Sequence, residues 1–303
     1  MNDRFNRFGL IHLSRCRYAT RPFIRKWVRI DPELKMIYQI SSHELSQIIR
    51  IPQQKAQILL QDLHNSQLKK KILEESRDFH IITIVDEYYP AMLNTIKDAP
   101  IVLYGAGNLG LLQKQPMLSV IGTRNPSNEA FGKLSFTVTP LIDAKWVIVS
   151  GMARGVDSMA HRLTLERKGN TIAVLGSGFH SIYPKEHIPL YQQIVRKGLV
   201  LSEYPPDQPP QKFHFPERNR IISGLTMGTL VIEAMQKSGT MITVDQALDQ
   251  GRDVFAVPGN PLIKQCTGCN EIIQDGAKLI QSAEDIYTEW NYYFQDDIEL
   301  FNK

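Results

Sequence analysis

The sequence predicts a doubly wound α/β protein with a mostly parallel sheet, preceded by a small all-helical N-terminal domain. Two observations predict the sheet: from about residue 80, short continuous apolar runs recur, and they alternate with segments of helical length. Continuous runs are expected where helices cover both faces of a sheet. A third observation predicts the helical domain, because apolar residues within positions 1–75 recur at helical spacing.

Residues 1–75 form the first predicted domain. Ser41 and Glu44 fit a capping box, and Pro52 separates two apolar patterns of helical period. Two short helices joined by a turn are typical of SAM-like, helix-hairpin-helix-like or winged-helix remnants that touch DNA, and also of a small bundle docked on a larger domain. The turn, IPQQ, lacks the paired glycines whose bare backbone approaches a phosphate, which favours the docked bundle.

Residues 76–288 form the second predicted domain. Its predicted strands cover residues 81–85, 101–105, 118–122, 146–151, 171–178, 199–203, 229–234 and 253–258. Its predicted helices cover residues 129–143, 156–168, 187–197, 218–225 and 242–250. Ligands of such sheets bind outside the carboxyl ends of the strands. Functional residues are therefore expected in the turns that follow the strands.

Composition and charge narrow the class of protein. The 303 residues carry a formal charge of +4, and no run approaches the roughly 18 apolar residues of a membrane span. Three cysteines and no recognisable signal peptide predict a reducing, cytoplasmic location. The charge is uneven, since residues 1–75 hold fourteen Lys or Arg against seven acids, whereas residues 284–303 hold six acids against one Lys.

Three turns at the predicted sheet edge have the composition of phosphate cradles. The first offers an open backbone, a hydroxyl and a guanidinium fork, from Gly122, Thr123 and Arg124. The other two precede predicted helices, whose free N–H groups favour anions; they consist of Ser150, Gly151 and Gly155, and of Ser238, Gly239 and Thr240. Glycine-rich turns also occur merely to tighten a chain, so their meeting at one edge is what predicts an anion site.

Several enzyme classes are disfavoured. The chain lacks the P-loop pattern G-x-x-x-x-G-K-[ST], and the glycines that follow the strands at 146–151 and 171–178 miss the spacing of a dinucleotide fingerprint. Cys266 and Cys269 lack the second ligand pair of a zinc site. The remaining candidate ligands are scattered, namely Asp157, His161, Glu203 and Glu233. No catalytic residue, cofactor or metal is therefore predicted.

The stretch KFHFPERNRIISG, residues 212–224, adds aromatic rings to cations. Lys212, Arg218 and Arg220 surround Phe213 and Phe215. Bases that stack on aromatic rings beside phosphate-binding cations allow single strands to be held without strict sequence readout. An ordinary turn, with one phenylalanine in the core and solvated arginines, fits the same residues equally well.

A series of motifs resembles the DNA-processing protein A family (DprA/Smf). The motifs occur in this order: GTRNPSNEAFG, VSGMARGVDSMAH, TIAVLGSGFHSIYPKEH, LSEYPP, KFHFPERNRIISGL, EAMQKSGTMITVDQAL, GRDVFAVPGN and NEIIQDGAKLI. The resemblance covers about residues 80–288, and the helical segment only loosely. Thr123 and Val156 stand where serine and isoleucine are commoner in the family.

The resemblance implies an extended Rossmann-like domain that binds single-stranded DNA without cutting it. It implies a protein that protects incoming DNA and loads the RecA recombinase during natural transformation and homologous recombination, as a cytoplasmic homodimer with single-strand-binding protein as a further partner. The DNA-binding residues of the family correspond to Arg124, Lys185, Lys212, Phe215, Arg218, Asn219 and Arg220. No C-terminal winged-helix domain is expected, because residues 289–303 read as an acidic, aromatic tail.

Two other functions are compatible with the residues. Nucleoside monophosphate phosphoribohydrolases also use a strand-end pocket, but their PGGxGTxxE motif corresponds here to SGTMITVDQA, which has one glycine and lacks that glutamate. A protein-interaction scaffold would use the basic front and the acidic tail as docking surfaces. Only the scaffold predicts that the protein does not bind DNA at low salt.

Overall fold

The computed structural model describes residues 7–291. Its first part consists of five α-helices: α1 (Arg7–Ser14), α2 (Arg21–Ile30), α3 (Ser42–Ile49), α4 (Gln53–Leu63) and α5 (Ser66–Asp78). The capping box is confirmed, because the Ser41 hydroxyl accepts the N–H of Glu44 and the Glu44 carboxylate accepts the N–H of Ser41. Pro52 directly precedes α4, where its missing N–H breaks no helical hydrogen bond.

A nine-stranded sheet follows the five helices. The strands are β1 (His80–Thr83), β2 (Val102–Gly107), β3 (Met117–Ile121), β4 (Val147–Ser150), β5 (Asn170–Leu175), β6 (Leu199–Ser202), β7 (Gly228–Val231), β8 (Asp253–Ala256) and β9 (Lys278–Leu279). Their spatial order is β1-β2-β6-β5-β4-β3-β7-β8-β9. Strands β3 to β9 pair in parallel, whereas β1 and β2 pair antiparallel. The predicted α/β class with a mostly parallel sheet is confirmed.

Helices cover both faces of the sheet, as the continuous apolar strands predicted. They are α6 (Ala91–Asn94), α7 (Ala130–Asp143), α8 (Val156–Glu166), α9 (Ile188–Lys197), α10 (His214–Gly224), α11 (Gly239–Asp249), α12 (Thr267–Gln274) and a last helix over residues 283–291. Short 3₁₀ helices cover Met36–Tyr38, Leu109–Gln113, Lys185–His187 and Lys264–Cys266. Helices α7, α8 and the last helix share a core on one face, and α10, α11 and α12 share a core on the other.

The eight predicted strands and five predicted helices of the sheet region are all present, with some differences at their ends. Helix α10 begins at His214, four residues before its predicted start. Pro216 lies in the first turn of α10, where a missing N–H is tolerated because these N–H groups have no helical partner. Strand β9 was not predicted, because two residues carry too little periodicity.

The five N-terminal helices dock against the sheet through a shared core and ion pairs. Buried side chains of these helices form one apolar cluster with residues of β2, β5 and β6. Arg21 bridges to Asp98 and Glu203 at 2.9 and 3.0 Å, and Lys71 pairs with Asp207. These contacts favour the docked bundle, while the division of the chain at residue 75 stays a prediction.

The order of the strands creates a switch point between β3 and β7. From β3 the chain proceeds through β4, β5 and β6 on one side, and it then returns through α10 to β7 on the other side. The connections diverge here, which leaves a crevice outside the carboxyl ends of β3 and β7. None of the helices within residues 7–291 has the length and apolar character that a membrane span requires.

The predicted acidic tail, residues 289–303, falls outside the described residues from position 292 onward. Before that position, Trp290 packs against Trp146 with ring centroids 4.9 Å apart. The last described helix therefore closes the core beneath α7.

Candidate nucleic-acid interface

A cavity of about 530 Å³ lies at the switch point, where the notable turns of the sequence meet. Most of the predicted site residues line it: Gly122, Thr123, Arg124, Lys212, Phe215, Arg218, Asn219, Ser238, Gly239 and Thr240. Gly151 lines a smaller cavity that shares the side chains of Arg124, Phe215 and Arg218. The topology thus brings together turns that are more than 100 residues apart in the chain.

The rim of the cavity carries three exposed cations, Arg124, Lys212 and Lys237. Within residues 7–291, no carboxylate lies within ion-pair distance of any of them. Lys237 was missed in the sequence. Its position between β7 and α11, directly before the Ser-Gly-Thr turn, could have identified it as a site residue. These three charges have no internal partner to neutralise them, so they are available to an external anion.

Arg218 places a buried charge in the floor of the cavity. It is only 4% exposed, and its Nη1 donates to the carbonyl oxygens of Gly151, at 2.6 Å, and Val174. Its Nε has no partner. A Cβ on Gly151 would lie 2.2 Å from Nη1, so only glycine leaves room for the guanidinium there.

The electrostatics of this floor favour an incoming anion. Burial lowers the pKa of Arg218 to about 10, against the opposing effect of the Asp157 carboxylate, and the nearby Arg124 lowers it further. Burial also raises the pKa of Asp157, whose Oδ2 accepts the N–H groups of Gly151 and Ala153 at 3.2 and 3.4 Å. Asp157 neutralises the charge of Arg218 only in part, and a phosphate in the cavity would neutralise the remainder.

Aromatic rings form one wall of the cavity. The Phe215 ring lies over Gly176, where a Cβ would come within 2.9 Å of it, and contacts Tyr183 at a centroid distance of 5.4 Å. Tyr183 lines both cavities and is 45% exposed. Phe213 is 57% exposed and packs on the edge of the His214 ring, outside the lining. It therefore belongs neither to the core nor to the cavity wall.

The N-terminus of α11 points the third predicted cradle into the cavity. Ser238 is the N-cap residue, and its hydroxyl is buried without a hydrogen-bond partner. The first N–H groups of a helix lack helical partners, and the helix dipole places positive potential there. This end of the cavity is therefore suited to a phosphate.

Two predicted cradle residues hold the turns together instead of lining the cavity. Ser150 is fully buried, and its hydroxyl donates to the carbonyl of Val120 at 2.7 Å. Gly155 has a φ of +72°, and a Cβ there would lie 2.2 Å from the carbonyl oxygen of Thr123. Ser150 therefore joins the end of β4 to β3, and Gly155 lets the turn after β4 pack onto the turn after β3.

The surroundings of Arg220 do not favour the predicted contact with DNA, which stays a prediction. Arg220 is 7% exposed; its guanidinium pairs with Glu203 and donates to the carbonyl of Asp98. Successive helical residues are about 100° apart, so Arg218 and Arg220 lie about 200° apart around α10 and face opposite sides. Lys185 is exposed and lines neither cavity, although its neighbour Pro184 lines the smaller one.

A glycine pattern that the sequence analysis passed over is not a nucleotide site. Gly105, Gly107 and Gly110 match G-x-G-x-x-G, but the first two lie inside β2, which is antiparallel to β6. A 3₁₀ helix follows where the fingerprint requires an α-helix. The carboxyl end of β2 also lies at the edge of the sheet opposite the cavity.

Comparisons with known proteins identify close relatives. Residues 80–291 match the family described as DNA recombination-mediator protein A. The chain is 40% identical over 269 residues to the DNA processing protein DprA of Bacillus subtilis (87% of this chain, 88% of that protein). It is 44% identical over 219 residues to DprA of Streptococcus pneumoniae (72% and 77%).

Two solved structures share the fold. The X-ray structure of DNA processing protein A from Streptococcus pneumoniae superposes with a TM-score of 0.83 at 35% identity, over 94% of this chain and 98% of that one. A structure of the Helicobacter pylori protein, solved to explain its single-stranded DNA binding mode, gives a TM-score of 0.63 at 30% identity, over 72% and 97%.

Proposed function

We propose that this chain, which belongs to the DNA recombination-mediator protein A family, binds single-stranded DNA in the switch-point cavity. The observation that carries the proposal is the set of unpaired cations Arg124, Lys212 and Lys237 around an aromatic wall. Cations that hold phosphates beside rings that stack bases are the usual means of binding a single strand. Binding of single-stranded DNA by the Helicobacter pylori relative supports the proposal.

Each side chain has a distinct role in this proposal. Arg124 binds a phosphate with two parallel hydrogen bonds, whereas Lys212 and Lys237 act as point charges. Phe215 and Tyr183 stack a base, and Asn219, which lines the same cavity, hydrogen-bonds the strand. Arg218 supplies fixed positive charge from the floor. Lys185 extends the basic path beyond the smaller cavity.

The wider role follows from the family. As a recombination mediator, the protein would protect incoming single strands and load the RecA recombinase onto them in the cytoplasm, acting as a homodimer alongside single-strand-binding protein. It would hold the strand without cutting it.

Fluorescence anisotropy with labelled oligonucleotides tests the proposal. At 50 mM salt, a 30-nucleotide dT strand should bind far more tightly than a duplex of the same length, because the bases of a duplex are not free to stack on Phe215. Affinity for the strand should fall steeply with salt as counterions are released. Equal affinity for strand and duplex, or no binding, would refute the proposal.

A single nucleotide also fits a cavity of about 530 Å³, and this observation favours one alternative, a nucleoside monophosphate phosphoribohydrolase. Incubation with AMP, followed by chromatography for free adenine, separates the two functions. We expect no release above the uncatalysed rate. Release at an enzymatic rate that Arg124→Ala abolishes would establish the alternative.

A further inference from the structure

The loop that carries Arg124 is tied at both ends to one buried residue, Glu233. Glu233 follows β7 and is fully buried. Its backbone carbonyl accepts the N–H of Thr123 at 2.7 Å. Its carboxylate accepts the backbone N–H of Ser127 at 2.8 Å and the Ser127 hydroxyl at 2.6 Å. Arg124 lies between these two anchor points.

The carboxylate is itself held in its ionised form. Lys133, on α7, donates to it at 2.9 Å and also to the Cys266 sulfur at 3.2 Å. Burial by itself would raise the pKa of Glu233, but the donors on Ser127 and Lys133 lower it below its usual value. A charged acceptor makes stronger hydrogen bonds than a neutral one. The loop is therefore anchored to a permanent charge.

The backbone on the other side of the loop is equally constrained. The carbonyl of Thr123 accepts the N–H of Val156 at 3.2 Å, and a Cβ on Gly155 would collide with this carbonyl and with the Arg124 backbone. By contrast, the Arg124 side chain is exposed, and within residues 7–291 no carboxylate lies within ion-pair distance of it. The structure thus combines a fixed loop backbone with a guanidinium that has no ion-pair partner.

We propose that Glu233 is a positioning residue for DNA binding: it holds the Thr123–Ser127 loop so that Arg124 is presented to a phosphate before the strand arrives. Ordering a binding group in advance removes that entropic cost from the binding step. The inference rests on the proposed function, because it requires Arg124 to contact a phosphate. It adds a role for a buried residue that does not itself line the cavity.

Ser127→Ala is the sharpest test, because it removes the 2.6 Å hydrogen bond and keeps the Glu233 carboxylate and its ion pair with Lys133 in place. We expect Ser127→Ala to weaken binding of the 30-nucleotide dT strand (dT30) about fivefold. Ser127→Thr keeps the hydroxyl and should restore most of the affinity. Ser135→Ala, on α7 and away from Glu233, is the matched control and should bind as the parent does.

A double-mutant cycle separates positioning from general structure. If Glu233 acts through Arg124, Ser127→Ala should have no further effect in an Arg124→Ala background. The same fivefold loss in both backgrounds, or no loss in the parent background, would overturn the positioning role of Glu233 while leaving the proposed function intact. If Arg124→Ala itself binds dT30 as the parent does, the proposed site falls, and the binding role of Glu233 falls with it.

Hydrogen exchange without DNA gives a readout that does not depend on binding. The amides of residues 123–128 should exchange faster in Ser127→Ala than in the parent, while those of β3 and β7 should not change. Unchanged exchange in the loop would contradict the claim that the carboxylate holds it.

Discussion

The two cation-rich regions of this protein differ in how their charges are engaged. In the N-terminal helices, Arg21 pairs with Asp98 and Glu203, and Lys71 pairs with Asp207, while Arg25 donates to the carbonyl of Ala99. At the switch point, Arg124, Lys212 and Lys237 line a cavity and have no carboxylate partner among the described residues. Net charge alone would favour the first region as a site for DNA. The partners of the cations, and not their number, distinguish those that dock the helices from those that are open to an anion.

Helix α10 displays the same contrast within three residues. Arg218 lines the cavity and donates to the carbonyls of Gly151 and Val174, whereas Arg220 faces the N-terminal helices and pairs with the carboxylate of Glu203. One helix therefore connects the two regions. Variants on its two sides should separate stability from DNA binding.

The largest expected effect is on stability, at the paired side. Arg220→Ala should lower the free energy of unfolding by about 2–3 kcal/mol, because it breaks a buried ion pair, although Arg21 still compensates Glu203. Urea unfolding measures the loss, and Lys71→Ala, at an exposed pair, is the control expected to cost under 1 kcal/mol. A stable Arg220→Ala protein with impaired DNA binding would show that Arg220 belongs to the DNA-binding site.

Acid should destabilise both regions, because each contains a buried histidine. Burial, with Arg218 and His187 nearby, lowers the pKa of His161 to about 3, and burial lowers that of His12 to about 4. The unfolded state takes up these protons near pH 6.5, so stability falls as the pH drops below that value. Each histidine should cost about 2 kcal/mol between pH 7 and pH 5.

Urea unfolding at the two pH values checks this prediction. His161→Gln and His12→Gln should each flatten the pH dependence, and the double variant should flatten it most. A pH dependence that neither substitution changes would show that other groups control acid stability.

At the unpaired side, the expected effects are on binding. Arg124→Ala and Lys212→Ala should each weaken dT30 binding about tenfold, because each removes a charged contact to phosphate. Each should also flatten the log–log salt dependence by about 0.7. Arg7→Ala, whose partner is Asp86, is a matched control that should change neither quantity. A loss of affinity with an unchanged salt slope would mean that the cation does not contact a phosphate.

The smallest effect distinguishes two neighbouring phenylalanines. Phe215→Ala should weaken dT30 binding by about fivefold to tenfold without changing the salt slope, since it removes stacking and no charge. Phe213→Ala, on an exposed ring outside the cavity, should leave the affinity unchanged. If both substitutions weaken binding equally, the strand follows the outer surface of α10 and not the cavity.

The sequence predicted the parts of this molecule that depend on local patterns. Arg124 was identified because Gly-Thr-Arg follows a continuous apolar run, and the rule for parallel sheets then placed it near Lys212. Lys237 was missed because a lysine in a turn looks like any solvated lysine until the topology places that turn at the switch point. Ser150 was misjudged because the acceptor of its hydroxyl, Val120, comes from another strand.

Arg220 shows what a correspondence between motifs leaves out. It was predicted to contact DNA because it corresponds to a DNA-binding residue of the family. Arg218 and Arg220 are two residues apart in α10, however, so they project from opposite sides of the helix. Which side met the N-terminal helices depended on docking contacts that no local pattern encodes.

Photo-crosslinking locates the bound strand and so tests whether single-stranded DNA lies in the switch-point cavity. A dT30 oligonucleotide that contains 5-iododeoxyuridine is irradiated with the protein, and mass spectrometry identifies the modified peptide. We expect crosslinks to Tyr183 or Phe215, and the crosslink to Phe215 should disappear in Phe215→Ala. Crosslinks confined to the N-terminal helices, α1 to α5, would contradict this expectation.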